Sequence, residues 1–384
     1  NIRMHYNRYQ YPLVEVKEAY WESGSDGAVW HWLLEVDAPM ASYEEQFLAL
    51  HKALQMMRER YENAVPIMAR YFLSDISNQA ARVYDYRQEC GESYAVSVIG
   101  QPPLNGSKLA LWIMLQSEVV ARPLPNGLLA VERPNHTHLW LGSAVAHSES
   151  SYSQTKDLLQ EYDRQLFAQH CTLADHCVRT WFFVQNVDVN YAGVVEGRNW
   201  VFDQIGLTSQ THFIASTGID GRNADPRISV QMDAYSVQGL MSEQIQYLCA
   251  PEWLNPTYEY GVSFERGTAV HYASRSEVYI SGTASIDNYG EVLYVGDIAK
   301  QTQRMWQNVE ALLAEAECSF EDVAQAVVYL RDVADYALVK ALYEKRFPNL
   351  PYTIVLAPVC RPSWLIEMEC IAIRENRNPN LPSY

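Results

Sequence analysis

The sequence predicts a chain of mixed strands and helices that carries one fold twice in tandem, and two observations predict it. The first is the stretch from Tyr279 to Ile373, which alternates strand and helix signals in the order of one complete unit. The second is that this unit recurs upstream at a fixed spacing. Gln154-Thr155 precedes Gln301-Thr302 by 147 residues, and Cys171-Thr-Leu-Ala-Asp175 precedes Cys318-Ser-Phe-Glu-Asp322 by the same 147. Trp181 to Asn186 then lies opposite Val327 to Asp332 with a slip of one residue. The spacing falls to 136 between Val230-Gln231-Met232-Asp233-Ala234 and Ile366-Glu367-Met368-Glu369-Cys370, so the first copy carries a longer connection before its last strand.

Each element of the second copy has a local cause. A strand and small-residue turn run from Val278 to Asp287, followed by Gly290-Glu291-Val292 and Gly296-Asp297. Asp297 is placed to cap a helix whose stripe is Ile298, Met305, Val309 and Leu312, because its carboxylate can accept from free N–H groups of the first turn. An apolar strand follows from Ala324 to Leu330, then a helix through Tyr336, Val339, Leu342 and Tyr343 that stops at Pro348. The unit closes on the strand from Trp364 to Ile373, where Glu367 and Glu369 share a face with Leu365, Ile371 and Ile373. A carboxylate on an otherwise apolar strand face asks for an explanation. At the equivalent place the first copy has Gln231, which fills the same volume but cannot supply a proton. Glu367 therefore marks the second copy as the one able to do acid catalysis.

The opening region is less informative. Ser42 and Glu45 form a capping-box pattern ahead of Phe47, Leu50, Leu54, Met57 and Tyr61. Strand-like runs cover Ala69 to Leu73, Val96 to Gly100 and Leu109 to Leu115, the last two flanking a turn at Gln101-Pro-Pro-Leu-Asn-Gly106. No catalytic motif stands in residues 1–135.

Composition narrows the function classes. With 384 residues, 48% of them apolar, the chain can bury a sizeable core without staples. A formal net charge of −17 argues against nucleic-acid binding, which needs clustered positive charge. Seven cysteines with no CxxC or Cys/His metal spacing read as reduced cytoplasmic thiols, and no run of eighteen apolar residues points to a membrane. His136 and His138, two apart without a third ligand, read as a solvated strand pair rather than a metal site.

The second copy resembles the Rid/YjgF family. The residues that carry the resemblance are Ser281-Gly282, Gly290-Glu291-Val292, Gly296-Asp297, Gln301-Thr302 and Ile366-Glu367-Met-Glu369-Cys-Ile-Ala372. It implies an α+β fold of two tandem Rid/YjgF-like (chorismate-mutase-like) units, each a mixed sheet with two helices on one face. It also implies a homotrimer with small-molecule sites between subunits. The expected division is an N-terminal region 1–255 holding a degenerate copy at about 140–240, then a C-terminal domain 256–384. Arg179-Thr-Trp181, Ala215-Ser-Thr-Gly-Ile219, Ser263-Phe-Glu-Arg266 and Ser281-Gly-Thr-Ala-Ser-Ile286 further resemble the chorismatase branch. After Ile286 that branch continues Gly-His-Glu, whereas this chain reads Asp287-Asn-Tyr-Gly-Glu291.

The resemblance implies an enzyme acting on a small carboxylate metabolite, with chorismate hydrolysis as its leading form and no metal or organic cofactor required. Glu367 would be the acid, Arg266 and Arg361 would hold carboxylates, and Thr217-Gly218 would shape the ring pocket. Cys360 beside Arg361 reads as pocket lining. Family imine and enamine deaminases hold the substrate carboxylate with an Arg fifteen residues before the first Glu of the closing strand. Tyr352 occupies that position here and joins the candidate binding residues. The alternatives are such a deaminase and a non-catalytic ligand-binding trimer.

Overall fold

A computed structural model of the chain describes residues 2–384. It contains three copies of the unit, not two. The first is β1 (His5–Tyr11), β2 (Val14–Ser23), β3 (Gly27–Val36), α1 (Tyr43–Arg60), β4 (Val65–Leu73), α2 (Ile76–Cys90), β5 (Ala95–Gly100) and β6 (Leu109–Gln116). The second is β7 (Val120–Pro123), β8 (Leu129–Glu132), β9 (Thr137–Val145), α3 (Ser151–Phe167), the short α4 (Leu173–His176), β10 (Cys177–Val184), α5 (Val187–Ile205), β11 (Ala215–Asp220) and β12 (Val230–Gln238). The third is β13 (Ile245–Leu248), β14 (Gly267–His271), β15 (Arg275–Ala284), α6 (Ile298–Glu315), β16 (Val323–Leu330), α7 (Tyr336–Arg346), β17 (Tyr352–Leu356) and β18 (Ile366–Glu375).

Each sheet has the same strand order: β1-β2-β3-β6-β4-β5, β7-β8-β9-β12-β10-β11 and β13-β14-β15-β18-β16-β17. In each, the closing strand is antiparallel to both neighbours, and the edge strand is parallel to the one beside it. The registers are superposable. Arg70, Trp181 and Val327 face Trp112, Asp233 and Glu369 on one side, and Ser97, Thr217 and Thr353 on the other. The sheets close into a ring, edge strand against the next unit's third strand: β5 on β9, β11 on β15, β17 on β3.

The two faces of each sheet are divided by the period-two alternation of its strands. On β18, Met368 meets Tyr343 of α7, while Glu367 and Glu369 point toward the centre of the ring. That centre is polar, and its arginines Arg70 and Arg179 face carboxylates. Arg70 reaches Asp233 of the second unit at 2.9 Å and lies over the rings of Trp112, Trp181 and Phe183.

The helix starts follow the sequence signals. Asp297 accepts from the Lys300 N–H at 3.0 Å, and Ser42 from the Glu45 N–H at 3.2 Å. Four residues past each N-cap stands a fully buried glutamine, Gln46, Gln154 and Gln301. Each clamps the loop before its helix to the loop before the closing strand: Gln46 binds the Ala38 carbonyl and the Lys108 N–H, Gln154 the Ser148 carbonyl and the Ser229 N–H, Gln301 the Tyr294 carbonyl and the Leu365 N–H. The longer connection of the middle unit is its helix α5, 19 residues against 11 in α7.

His136 and His138 correct the expectation of a solvated pair. Both are buried, and His138 shares a hydrogen bond with the Tyr235 hydroxyl at 2.6 Å, with its imidazole pushed well down by burial. No described helix is long and apolar enough to cross a membrane.

Candidate active site

Between the second and third units lies a cavity of about 420 Å³. Strand β18 brings Glu367 into it, next to Tyr329 on β16 and Ala284 on β15. Glu367 is 7% exposed, and its carboxyl Oε2 is buried with no hydrogen-bond partner. Burial, reinforced by the charge of Glu369, raises it to about 8 against the opposing pull of Arg179 and Arg266. At neutral pH it is a protonated acid.

Two residues along the same face, Glu369 has the opposite environment. It accepts from Trp181 Nε1 at 2.7 Å and the Tyr329 hydroxyl at 2.5 Å, with Arg179 3.4 Å away. A fully partnered carboxylate therefore stands behind an unpartnered one.

The contrast with the middle unit shows how the site is opened. Gln231, the counterpart of Glu367, donates to the Val98 carbonyl at 3.0 Å and to Ser143 Oγ at 3.2 Å, and accepts from Asn223 at 2.8 Å. By register, Ser143 corresponds to Gly282 at the bulge of β15. A Cβ on Gly282 would lie 2.0 Å from Glu367 Oε1. Glycine there removes the partner and supplies the space for the carboxyl. Gly282→Ala is thus expected to displace Glu367 and reduce turnover at least ~10-fold while the protein stays folded, checked by steady-state rates beside circular dichroism.

The other walls come from α5 and from the segment between β13 and β14. Tyr191, Val195 and Arg198 of α5 line the cavity, so the longer helix of the middle unit roofs the neighbour's acid. Arg266 donates through Nε and Nη2 to the Asn255 carbonyl at 3.3 and 3.0 Å and lies beside the rings of Tyr260 and Phe264. Arg361 sits over Tyr260 and Trp364, 4.7 and 4.8 Å from the ring centres. Cys360 faces the same space, its thiol pushed up to about 12 by burial and by Glu367, which denies it a thiolate. Gly218 lines the cavity against the Tyr191 ring.

Two expected residues are placed elsewhere. Thr217 is behind the wall: its hydroxyl takes the Arg179 guanidinium at 2.7 Å and the Gly282 N–H at 3.0 Å, so it supports the bulge rather than touching the cavity. Tyr352 lies at a different interface, with Lys17 and Lys340 over its ring at 4.2 and 4.8 Å and its hydroxyl donating to Glu344 at 2.5 Å. The reason is the ring. The edge strand that faces Glu367 belongs to the preceding unit, and the residue there in register with Tyr352 is Ser216, which does line the cavity.

Sequence reasoning also missed Tyr191, Arg198, Ser216, Tyr260 and Trp364. The repeat could have yielded Ser216, had the count been made in the neighbouring copy. For Arg198, a lone arginine in a helix carries no such signal.

The Endoribonuclease L-PSP family model matches residues 267–374. A RutC family protein of Pyrococcus abyssi is 36% identical over 100 residues, 26% of this chain and 79% of that protein. The 3-aminoacrylate deaminase RutC of Acinetobacter baylyi is 34% identical over 98 residues, 25% of this chain and 77% of that protein. Among solved structures, a chorismatase crystal structure superposes with a TM-score of 0.63 at 15% identity, covering 80% of this chain and 93% of that one. The shared architecture therefore extends over nearly the whole of that molecule, while sequence identity concentrates in the third unit. By that unit the chain belongs to the RutC, or Rid/YjgF, family.

Proposed function

We propose that the cavity is the active site of a hydrolase acting on a small anionic enol ether, with chorismate as the leading substrate. The observation that carries this is Glu367: a buried, unpartnered carboxyl, protonated at neutral pH, aimed into a cavity lined by arginines. In this reading Glu367 gives its proton to the terminal methylene carbon of the enolpyruvyl group. The adjacent carbon becomes oxocarbenium-like, and water adds to it. Glu367, now a carboxylate, recovers one proton of that water as the hemiketal forms, and the other passes to the ring oxygen as its C–O bond breaks and the hemiketal collapses to pyruvate and a ring alcohol. An acid near pH 8 suits this exchange, because it holds the proton at rest and takes it back readily.

The chorismatase architecture supports the reading at the level of fold. The deaminase reading draws on the RutC relative, but Ser216 stands in register where the resemblance expects the carboxylate-binding arginine. Incubation with chorismate, followed by assay of pyruvate, tests the proposal. Pyruvate release is expected, and turnover of 2-iminobutanoate without it would favour the deaminase.

The assembly is proposed along the same lines. The resemblance implies a homotrimer, but one chain already supplies three sheets closed in a ring and both sides of the cavity. Light scattering at micromolar concentration is expected to give the mass of one chain, and a trimer mass would refute this.

A further inference from the structure

Among the described residues four arginines are fully buried: Arg70, Arg179, Arg198 and Arg275. Three face carboxylates within 4 Å, namely Asp233 for Arg70, Glu369 for Arg179, and Asp26 with Glu277 for Arg275. Among the described residues Arg198 has no carboxylate within that distance, and its Nε and Nη2 have no hydrogen-bond partner. It is 1% exposed and lines the cavity, with the rings of Phe182 and Phe264 at 5.7 and 5.8 Å. A guanidinium carries five N–H donors in a fixed fork and cannot shed its charge, so burying one unpaired is costly. Every other arginine buried to this degree is matched by a carboxylate of the chain.

The charge balance of the cavity fits a ligand that supplies the match. Arg198, Arg266 and Arg361 contribute three positive charges. The acids lining it are Glu196, exposed at the mouth, and Glu367, which is protonated at neutral pH. Arg266 has already spent Nε and Nη2 on Asn255, and Arg361 is half-buried over two rings. Arg198 is the deepest cation and the one with its fork free.

We infer that Arg198 is the principal anion anchor of this cavity and that the site is built for a dianion, one carboxylate on Arg198 and a second toward Arg266 and Arg361. This rests on the cavity being the ligand site, but not on which reaction occurs there. Two probes of one shape test it, benzene-1,3-dicarboxylate and benzoate, with binding followed by calorimetry on the whole chain. The wild type is expected to hold the dicarboxylate at least ~10-fold more tightly than benzoate. In Arg198→Gln that ratio is expected to fall to within a factor of about two, mainly through loss of dicarboxylate affinity. A merely structural arginine would lower both affinities alike or neither. If Arg198→Gln does not fold, Arg198→Lys keeps the charge without the fork, and the ratio is expected to drop without vanishing.

An unchanged ratio in the variant overturns the inference, as does a wild type that binds the two probes equally or not at all. The outcome is separable from the proposed reaction. Loss of dianion preference without pyruvate release from chorismate upholds the anchor and sinks the reaction. Pyruvate release with an unchanged KM in Arg198→Gln does the reverse.

Discussion

Glu367→Gln is expected to reduce turnover by at least ~100-fold, the low end of what a positioned general acid contributes, without unfolding the protein. The middle unit supports the structural half of this expectation, since Gln231 already occupies the equivalent place on β12. Its amide there is held by Val98, Ser143 and Asn223, whereas Gly282 gives the new amide no such hydroxyl. The fold should nevertheless gain at alkaline pH. The Glu367 carboxyl is raised from 4.5 to about 8 in the folded chain, so the folded state binds the proton more tightly than the unfolded state does. Its contribution to stability is therefore fully present below about 4.5 and is lost progressively as pH rises from there through about 8. At pH 9 the variant is expected to melt above the wild type, and thermal unfolding at pH 6 and pH 9 checks the crossover. Full turnover in Glu367→Gln would make the carboxyl structural.

The same substitution two residues along should do the opposite. Glu369→Gln is expected to destabilise the protein by ~3–5 kcal/mol, the range seen when one partner of a buried ion pair is removed. Glu369 answers Trp181, Tyr329 and Arg179 together, from two different units. An amide has one acceptor oxygen for two donors, and it leaves Arg179 buried opposite no charge. The loss should appear as a lower urea midpoint with the slope of the transition unchanged. Because these partners join β10 to β18, the change loosens the contact between units on which the cavity depends. Although Glu369 shares its strand face with Glu367, it cannot serve as an inert control.

Much of this was legible in the sequence, for physical reasons that also explain what was not. The repeat of the second and third units could be read because it rests on identical residues at a capped helix start, Gln154 and Gln301, whose clamp uses both the donor and the acceptor of the amide. The first unit keeps only Gln46 of that signature. At its centre Ala110 and Trp112 stand where the others have Gln231 and Asp233, or Glu367 and Glu369. Its long strands β2 and β3 are buried on both faces, so they lack the alternation that announces a strand. Glu367 was legible because a carboxylate on an apolar strand face has few benign explanations. Tyr352 misled because the site is built across units, and counting along one copy arrives at the wrong interface. Arg198 was invisible for a related reason: α5 belongs to the middle unit, and its helix periodicity does not say that the neighbouring unit's acid lies beneath it.

The central claim is that Glu367 is kept as a protonated acid at neutral pH, and infrared difference spectroscopy addresses it without any substrate. The difference between wild type and Glu367→Gln, recorded across pH 6 to 10, isolates the carbonyl stretch of this one carboxyl. The band of the protonated acid is expected at pH 7 and should give way to carboxylate bands with a midpoint near 8. A carboxylate signal already complete at pH 6 would contradict it, and the acid catalysis proposed here would have no proton to give.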